Sequence, residues 1–576
     1  MRNLGLKMDY EEPDSIRAIR PQHGDEGIFW FRDDLHNPYP VSSLGMSTVH
    51  RGHMWGYATA AEEAKLPSSR GAIVKTHNQR VYLGFVGIED PEEIEKRFGE
   101  FVSFVELNIN NWEEFYGRII AEGKKITWPN VQKDLTVLSN GDLLDHFRKT
   151  VRATFRCWYL HFRGMYVSTS VYLQGEEFIK NRGLSEQGFT NMLTGHETKG
   201  QLTDRGQYQL CRLAYEIPAV KELLLGADDI AIVVETLKTS EKCSQWYQQF
   251  NAYLSEFGHR LTAAILDVNF PTWCEDPTPV IDNIRSMMPK MAAGWDYDQE
   301  LGKMHLKRDK VIAQARGQLS EEDRAAFDEQ LPNWQKAYAY NEDHWFYLEQ
   351  VCFSAIRYAA LEIGRRLAEA NIIEDPQDVF HLTDYEIYEV MESLAEAKGP
   401  ARYIYSHLLG PLVKHRKELY EKAGNLKEAP FLGNVPETVE DPIAMKVFGL
   451  TNFILDKARQ ETTGKTVKAE EVLEGFPGAP GLVKGKAKVI TSHKDFPKVQ
   501  PDDILVCPYT SPAWTSIFPK VAAVVTDSGG MLTHAAIMAR EYGVPAVVGT
   551  WVATETIKTG DTIIVDGNKG RVEIVR

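Results

Sequence analysis

The sequence predicts a multidomain chain, in which a mostly α-helical N-terminal region with some β-structure precedes a small α/β domain. Its 576 residues suffice for about four domains of average size. Apolar residues recur at helical spacing through much of the first part of the chain. Near the end, an apolar strand, a double-glycine turn and a helix start follow one another within residues 522–543.

The helical prediction for the first part depends on the spacing of its apolar residues. One stripe repeats at 3-4-3-4 spacing, as on one face of a helix: Phe353, Ile356, Ala360, Ile363 and Leu367. Charged residues are expected outside this stripe: Arg357, Glu362, Arg365 and Arg366. Further helices are predicted around 142–163, 207–226, 244–256 and 403–422. Two segments bracketed by turns, 27–31 and 80–86, are predicted to be strands.

Composition excludes several classes of partner. The formal net charge of −16 argues against nucleic acid and against anionic membranes, since either favours a basic face. No stretch approaches the ~20 continuous apolar residues of a membrane span, and the first residues lack the apolar run of a signal peptide. The six cysteines show no metal-ligand spacing, which is typical of reduced thiols. We therefore expect a cytoplasmic protein without a metal site.

The strongest chemical signal is the string Thr526-Asp-Ser-Gly-Gly-Met-Leu-Thr-His534. It follows an apolar strand, and Thr533 is a predicted N-cap that places His534 in the first turn of a helix. Free backbone N–H groups and the positive helix end form an anion site there and keep the imidazole neutral. Glycines let the backbone approach a phosphate closely. We predict that His534 is a phosphorylated histidine, with phosphate contacts from Ser528, Gly529, Gly530 and Thr533.

This string resembles the swivelling phosphohistidine domain of the phosphoenolpyruvate-utilising enzymes, such as pyruvate phosphate dikinase, rifamycin phosphotransferase and phenylphosphate synthase. The resemblance covers about the last hundred residues. Its further parts are Gly475-Phe-Pro-Gly-Ala-Pro-Gly481, Val483-Lys-Gly-Lys-Ala-Lys-Val-Ile490, Pro501-Asp-Asp-Ile-Leu-Val506 and Val565-Asp-Gly-Asn-Lys-Gly-Arg-Val572. It implies that the C-terminal α/β domain swivels between two sites.

Earlier strings resemble the antibiotic-binding middle region of rifamycin phosphotransferase. They are Trp30-Phe-Arg-Asp-Asp-Leu-His-Asn-Pro-Tyr-Pro-Val-Ser-Ser-Leu44, Phe257-Gly-His-Arg260, Pro271-Thr-Trp-Cys-Glu-Asp-Pro277, Asn341-Glu-Asp-His-Trp-Phe-Tyr347 and Asp378-Val-Phe-His-Leu-Thr383. The string after Arg260 departs from the family pattern, because Leu261 replaces a small residue and the acidic residue that follows in the family is missing.

A donor site for the phosphoryl group is not evident in this sequence. The phosphate-binding pattern G-x-x-x-x-G-K-[ST] does not occur, and the N-terminal region does not resemble an ATP-grasp domain. The layout is similar to that of the histidine-bearing subunit of phenylphosphate synthase. That resemblance implies a separate ATP-grasp-type nucleotide-binding subunit, which supplies ATP and Mg²⁺, and no cofactor bound by this chain alone.

The acceptor is expected to bind in the region before the histidine domain, which is rich in tryptophan. Aromatic walls suit a flat apolar substrate such as a phenol, although each tryptophan is also an ordinary core residue. The ten are Trp30, Trp55, Trp112, Trp128, Trp158, Trp246, Trp273, Trp295, Trp334 and Trp345. A phenol needs a general base at neutral pH. The candidates are His259, Asp343 and His344.

Three segments and three functions are therefore predicted. An acceptor-binding region at 1–458 is followed by a polar hinge at 459–474 and by the phosphohistidine domain at 475–576. The favoured function is a phosphotransferase subunit acting on a small, hydroxylated, phenolic compound. The alternatives are a rifamycin-type phosphotransferase with a split nucleotide domain, and a phosphocarrier or regulatory protein without a small-molecule site. The size of an apolar pocket would distinguish them.

Overall fold

A computed structural model describes residues 28–575, apart from internal gaps. The gaps are 227–228, 264–265, 397–399, 425, 427–428, 434, 439–449, 453, 457–458, 460–471, 492, 511–513, 515–516, 519 and 532. The described chain divides into two compact units. The first combines Met1–Tyr166, Ile265–Pro271 and His344–Pro436, and the second combines Val167–Ala264, Thr272–Asp343 and Glu437–Arg576, each as far as it is described.

The first unit contains a four-stranded antiparallel sheet. Its strands are β1 (Trp30–Arg32), β2 (Ser69–His77), β3 (Arg80–Gly87) and β4 (Phe431–Leu432), in the order β2-β3-β1-β4. Phe31 lies opposite Leu83 and Phe431 in the two neighbouring strands. Trp30 and Tyr82 are buried in the small core beside this sheet. The two strands predicted at 27–31 and 80–86 are thereby confirmed, with small shifts at their ends.

Helices make up the rest of the first unit. They are Ser43–Gly45, Arg51–Ala64, Pro91–Asn110, Trp112–Val131, the first part of Asn140–Asn181, Val351–Glu369, Asp384–Glu396 and Pro400–Ala423. Two π-helical turns, Met46–His50 and Trp345–Gln350, interrupt otherwise continuous helices. Such turns occur frequently at functional sites, because they insert an extra residue into a helix.

The second unit has a helical part and a C-terminal sheet domain. The helical part comprises the end of Asn140–Asn181 with Glu186–Met192, Lys199–Glu216, Pro218–Gly226, Ile230–Thr239, Ser244–Phe257, Thr278–Ala292, Tyr297–Gln318 and Glu321–His344. Its core gathers residues such as Trp246, Phe250 and Ile284, which are almost fully buried. The helices predicted at 142–163, 207–226, 244–256 and 403–422 are confirmed, and most are longer than predicted or divided.

An eight-stranded mixed sheet forms the C-terminal domain. Its strands are β5 (Val472–Glu474), β6 (Phe476–Ala479), β7 (Leu482–Val489), β8 (Ile504–Cys507), β9 (Ala523–Thr526), β10 (Ala546–Val548), β11 (Thr562–Asp566) and β12 (Arg571–Val575). The order is β5-β12-β11-β7-β8-β9-β10-β6, and β7 to β10 are parallel neighbours. Helices His534–Tyr542 and Ala553–Thr556 accompany this sheet. The mostly helical N-terminal region and the C-terminal α/β domain are as predicted.

The predicted hinge at 459–474 is described only at its ends. Residues 460–471 lie outside the described residues. Val472–Glu474 forms strand β5, which pairs with Arg571–Glu573 of β12, so the sheet domain begins three residues before Gly475. The other domain boundaries and the hinge remain predictions.

One detail of the helical stripe differs from the prediction. All five apolar residues of the stripe are buried on helix Val351–Glu369. Arg357 and Glu362, which were expected outside it, are also buried. Arg357 donates to the carbonyl of Val268 at 3.1 Å, and Glu362 accepts from both Arg365 and Arg366. Burial is tolerated because each charged group finds a partner.

Candidate functional site

Two glycines with left-handed backbone shape the loop that precedes His534: Gly529 within the loop, and Gly549, which follows β10 and packs against it. Gly529 has φ +110°, and a Cβ there would lie 2.8 Å from Oγ1 of Thr533. Gly549 has φ +73°, and a Cβ there would lie 2.5 Å from the carbonyl oxygen of Gly529. Side chains at either position would meet both backbone strain and a close contact. The chain therefore turns tightly after β9 and enters the next helix within a few residues.

His534 is the first residue of helix His534–Tyr542, as predicted. Thr533 precedes it with extended backbone, φ −87° and ψ 158°, in the N-cap position. Its hydroxyl does not cap the helix, however, and instead donates to the carbonyl of Gly530 at 2.8 Å. The first-turn N–H groups of a helix have no intrahelical acceptor, so this end is suited to an anion.

The imidazole of His534 is held in one orientation. Nδ1 lies 3.0 Å from Oγ1 of Thr510, and the edge of the ring faces Phe518. The side chain is partly exposed, while burial of its surroundings lowers the pKa of His534 to about 3. The ring is therefore neutral at pH 7 and keeps a nucleophilic lone pair. Thr510 lies three residues after the end of β8, the parallel neighbour of β9, and sequence reasoning missed it.

The predicted phosphate contacts are arranged around the same turn. The hydroxyl of Ser528 donates to the carbonyl of Pro508 at 2.8 Å, and that of Thr533 is committed to Gly530. Both hydroxyl hydrogens thus bind the protein backbone, and the backbone N–H groups of the same two residues donate to the carbonyls of Pro508 and Gly530. A phosphate at this turn would therefore take its hydrogen bonds from the first-turn N–H groups of helix His534–Tyr542. The assignment of Ser528, Gly529, Gly530 and Thr533 as phosphate-binding residues stays a prediction.

Arg540 stabilises this loop from the opposite end of the helix. Its Nη2 donates to the carbonyl of Met531 at 2.8 Å, and its Nη1 lies 3.5 Å from the hydroxyl of Tyr338. The side chain is buried. Six residues at ~100° each separate the two positions around the helix axis, so Arg540 does not share the face of His534.

Two of the three candidate bases have structural partners in the second unit. His259 is buried, its Nδ1 lies 3.9 Å from Sγ of Cys274, and burial lowers its pKa. Asp343 accepts a 2.6 Å hydrogen bond from the backbone N–H of Lys199, the first residue of helix Lys199–Glu216. This contact satisfies one of the donors that a helix start leaves without a partner. Their role as bases remains a prediction.

The third candidate, His344, belongs to a buried cluster in the first unit. Its ring centroid lies 4.5 Å from that of His161, and Nδ1 of His161 lies 2.6 Å from Oε1 of Glu349. Burial raises the pKa of Glu349 to about 8 and lowers that of His161 to about 3. Both groups are therefore neutral at pH 7. Sequence reasoning found His344 but missed His161 and Glu349.

A cavity of about 340 Å³ also lies in the first unit. Its lining combines cations with aromatic rings: Arg51, Arg148, Val151, Arg152, Phe155 and Tyr388. Arg51 donates to Asp384 at 2.6 Å and Arg148 pairs with Glu392. The volume is at the small end of the range for ligand pockets, which begins near ~300 Å³.

The tryptophans are mainly core residues. Six of the ten are buried: Trp30, Trp112, Trp158, Trp246, Trp273 and Trp334. Trp55 is 45% exposed. None of the six cysteines, all of them described, forms a disulfide. Among the helices that the structure describes, we find no segment with the length and apolarity needed to cross a bilayer.

Two protein families match parts of this chain. Residues 499–570 match the family described as PEP-utilising enzyme, mobile domain. Residues 167–342 match the rifampicin phosphotransferase fourth domain. The first match covers the loop and helix that carry His534, and the second covers the helical part of the second unit.

Curated relatives match this chain over longer stretches. Chondramide synthase of Chondromyces crocatus is 30% identical over 440 residues, which is 75% of this chain and 11% of that protein. An uncharacterized phosphotransferase of Bacillus subtilis is 29% identical and covers 68% of this chain and 44% of its own length. Rifampicin phosphotransferase of Streptomyces sviceus is 29% identical over a stretch that covers 62% of this chain and 38% of that protein. The chain thus spans less than half the length of these relatives.

Proposed function

We propose that this member of the PEP-utilising enzymes, which joins their mobile domain to a rifampicin phosphotransferase fourth domain, transfers a phosphoryl group through His534 to a hydroxyl group of a small molecule. The observation that carries the proposal is the geometry of His534. A neutral imidazole stands at the start of a helix, behind a glycine turn, with Nδ1 beside Thr510. This arrangement provides a nucleophile and an anion site at the same place.

In the first half-reaction, the lone pair of Nε2 attacks the phosphorus of the donor. The bond from phosphorus to the nucleotide oxygen breaks as the N–P bond forms, and the nucleotide leaves with that electron pair. We assign the proton of the neutral ring to Nδ1, so that this N–H donates a hydrogen bond to the hydroxyl oxygen of Thr510, 3.0 Å away. The N–H groups at the start of helix His534–Tyr542 then surround the bound phosphoryl group.

In the second half-reaction, the acceptor oxygen attacks the phosphorus in line with the breaking N–P bond. The electron pair of that bond returns to Nε2, and the hydroxyl proton passes to a base. The candidates for this base are His259, Asp343 and His344; Asp343 accepts from the backbone of Lys199, and His259 lies beside Cys274. His344 instead adjoins His161 in a polar cluster.

We propose a phenolic compound as the acceptor, as in phenylphosphate synthase. The cavity of about 340 Å³ in the first unit suits a compound with one ring, whereas an ansamycin antibiotic needs far more room. Phe155 and Tyr388 offer aromatic walls. A rifamycin-type acceptor is the second candidate function, and the family match at 167–342 favours it.

The phosphoryl donor is proposed to be ATP with Mg²⁺, bound by a separate ATP-grasp-type subunit. The sequence given contains no phosphate-binding loop of the G-x-x-x-x-G-K-[ST] type. One histidine then serves a donor site and an acceptor site, and reacting atoms must approach to ~3–3.5 Å at each. Movement of the C-terminal domain, with 459–474 as its hinge, is part of this proposal.

The test uses the full chain, a candidate nucleotide-binding partner, ATP labelled on the γ- or β-phosphate, and parallel panels of phenols and rifamycins. We expect acid-labile label on the chain only with the partner present, followed by its transfer to a phenol. His534→Ala should abolish labelling while the circular dichroism spectrum stays unchanged, with His407→Ala, at an exposed histidine of helix Pro400–Ala423, as the control. Label persisting on the His534 variant would refute the assignment.

The same experiment separates the alternatives. Transfer only to rifamycins supports the second candidate function. Label that leaves the chain only toward another protein identifies a phosphocarrier and overturns the small-molecule proposal. The separate donor is tested by Mg-ATP binding to the isolated chain, where micromolar affinity would contradict it.

A further inference from the structure

The buried cluster of the first unit brings together three residues from different elements. His161 lies in the middle of helix Asn140–Asn181, His344 is the last residue of helix Glu321–His344, and Glu349 belongs to the π-helical turn Trp345–Gln350. One side-chain nitrogen or oxygen from each lies within 4.8 Å of the other two. This spacing brings two imidazoles and one carboxyl group around a common point.

Burial of the Glu349 carboxyl group costs free energy of solvation unless a partner in the cluster compensates for it. Glu349 is only 1% exposed, and its Oε2 has no hydrogen-bond partner among the described residues. A buried carboxyl oxygen without a partner carries a desolvation penalty, and each such atom in a native protein calls for an explanation. The π-helical turn inserts one residue just before the helix resumes at Val351, and it places Glu349 beside His161.

We propose that His161, His344 and Glu349 bind a divalent transition-metal ion of the Zn²⁺ class. Two imidazole nitrogens and one carboxylate oxygen form a donor set that zinc accepts, with one position left for water or another ligand. Mg²⁺ and Ca²⁺ prefer sites made of oxygen atoms, so mixed nitrogen and oxygen donors select against them. The ion would replace the proton held between Nδ1 of His161 and Oε1 of Glu349.

The surroundings suit a bound ion. The edges of Trp158 and Phe162 pack on the ring of His161, with centroids 4.9 and 4.6 Å away. An apolar shell of this kind fixes the orientation of a ligand and limits the access of water. The site differs from the Mg²⁺ that accompanies ATP, and it depends on the cluster alone, so it holds whether or not His534 carries phosphate. An ion bound to His344 excludes that residue as the general base and leaves His259 and Asp343 as candidates.

The experiment uses the full chain, stripped of metal with a chelator and then desalted. Zn²⁺ is titrated by calorimetry, and Co²⁺ is added separately as a spectroscopic probe, since its visible absorption reports nitrogen and oxygen ligation. We expect one equivalent of either ion to bind, with a rise in the melting temperature. Millimolar Mg²⁺ should displace neither ion.

Matched variants locate the ion. Glu349→Gln and His161→Gln should each weaken Zn²⁺ binding by more than about 100-fold, because loss of a direct ligand exceeds the 10–100-fold cost of an outer-shell change. His146→Gln, another buried histidine of helix Asn140–Asn181, should bind as the wild type does. If Glu349→Gln fails to fold, His344→Gln replaces it. No binding by the wild-type chain at micromolar Zn²⁺, or an unchanged Co²⁺ spectrum in both cluster variants, would overturn the proposal.

Discussion

The hydroxyl of Thr510 lies 3.0 Å from Nδ1 of His534, so the end of strand β8 orients the histidine that follows strand β9. The two strands are parallel neighbours, with Cys507 opposite Thr526. Ligand sites in parallel sheets form at such carboxyl ends, where loops from adjacent strands converge. In the tautomer whose Nδ1–H donates to Thr510, Nε2 is the nitrogen that can attack phosphorus.

We predict that the phosphoryl group is attached to Nε2 of His534. A ring whose Nδ1 carries a proton and donates it to Thr510 presents its lone pair at Nε2. The measurement is a ¹⁵N–³¹P correlation spectrum of chain labelled with ¹⁵N-histidine. Attachment at Nδ1 would contradict the proposed tautomer.

We further predict that Thr510→Val slows phosphorylation of His534 by about 3- to 10-fold, since a hydrogen bond contributes ~0.5–1.5 kcal/mol and 1.36 kcal/mol is tenfold in rate. The isosteric valine removes the hydroxyl and leaves the ring free to change tautomer. Thr510→Ser keeps the hydroxyl and serves as the control. Initial rates of acid-labile labelling measure the effect, and equal rates for the two variants would show that the contact is not used.

Gly529→Ala should destabilise the C-terminal domain by about 1–3 kcal/mol, the usual cost of one strained backbone position. The alanine would have to keep the backbone angle φ +110°, and its Cβ would lie 2.8 Å from Oγ1 of Thr533. Gly560→Ala is the matched control, because it has φ +97° with no atom within 4 Å of its Cβ. Urea denaturation compares the two. A loss no larger than that of the control would mean that the loop relaxes around the methyl group.

Local sequence patterns were sufficient to predict much of the fold. The apolar stripe of helix Val351–Glu369 and the strand before the Gly529 turn depend on neighbours in the sequence, which a single sequence displays. The position of His534 at a helix start follows from the same local rules. Local rules did not predict that the hydroxyl of Thr533 donates to the carbonyl of Gly530 and does not cap the helix. That contact depends on the exact backbone angles of the loop.

The contacts that the sequence did not predict join residues far apart in the chain. Thr510 is 24 residues from His534, and Glu349 is 188 residues from His161. Arg357 was assigned to an exposed face because a charge at that position usually meets water, but the carbonyl of Val268 accepts its hydrogen bond. Such partners become visible only when the chain is folded, since no periodicity specifies them.

Two partly buried carboxyl groups accompany the packing of helix His534–Tyr542 within the second unit. Oε1 of Glu541 lies 3.4 Å from the backbone N–H of Gly195, and Asp204 lies close enough for the two charges to repel. Burial raises the pKa of Glu541 and of Asp204 to about 7 each. Both groups are therefore protonated in the packed state at mildly acidic pH.

We predict that this packing weakens as the pH rises from 5 to 8. A carboxyl group whose pKa is raised on folding binds more protons in the folded state, so its stabilising effect is present below the ordinary pKa. That effect is lost as pH passes from about 4.5 to about 7, between the unfolded and folded pKa values. The urea midpoint of the second unit should fall over this range.

Glu541→Gln isolates the cause of this pH dependence. The amide keeps the shape of the protonated carboxyl group and cannot ionise. The urea midpoint of the variant should therefore decrease much less between pH 5 and pH 8 than that of the wild type, and the variant should be the more stable protein at pH 8. Glu573→Gln, an exposed residue on strand β12, removes the same formal charge and should leave the fall unchanged. If packing against Gly195 must be released for His534 to travel, the Glu541 variant will also turn over more slowly at pH 8. An identical pH profile for wild type and Glu541→Gln would show that this carboxyl group does not govern the packing.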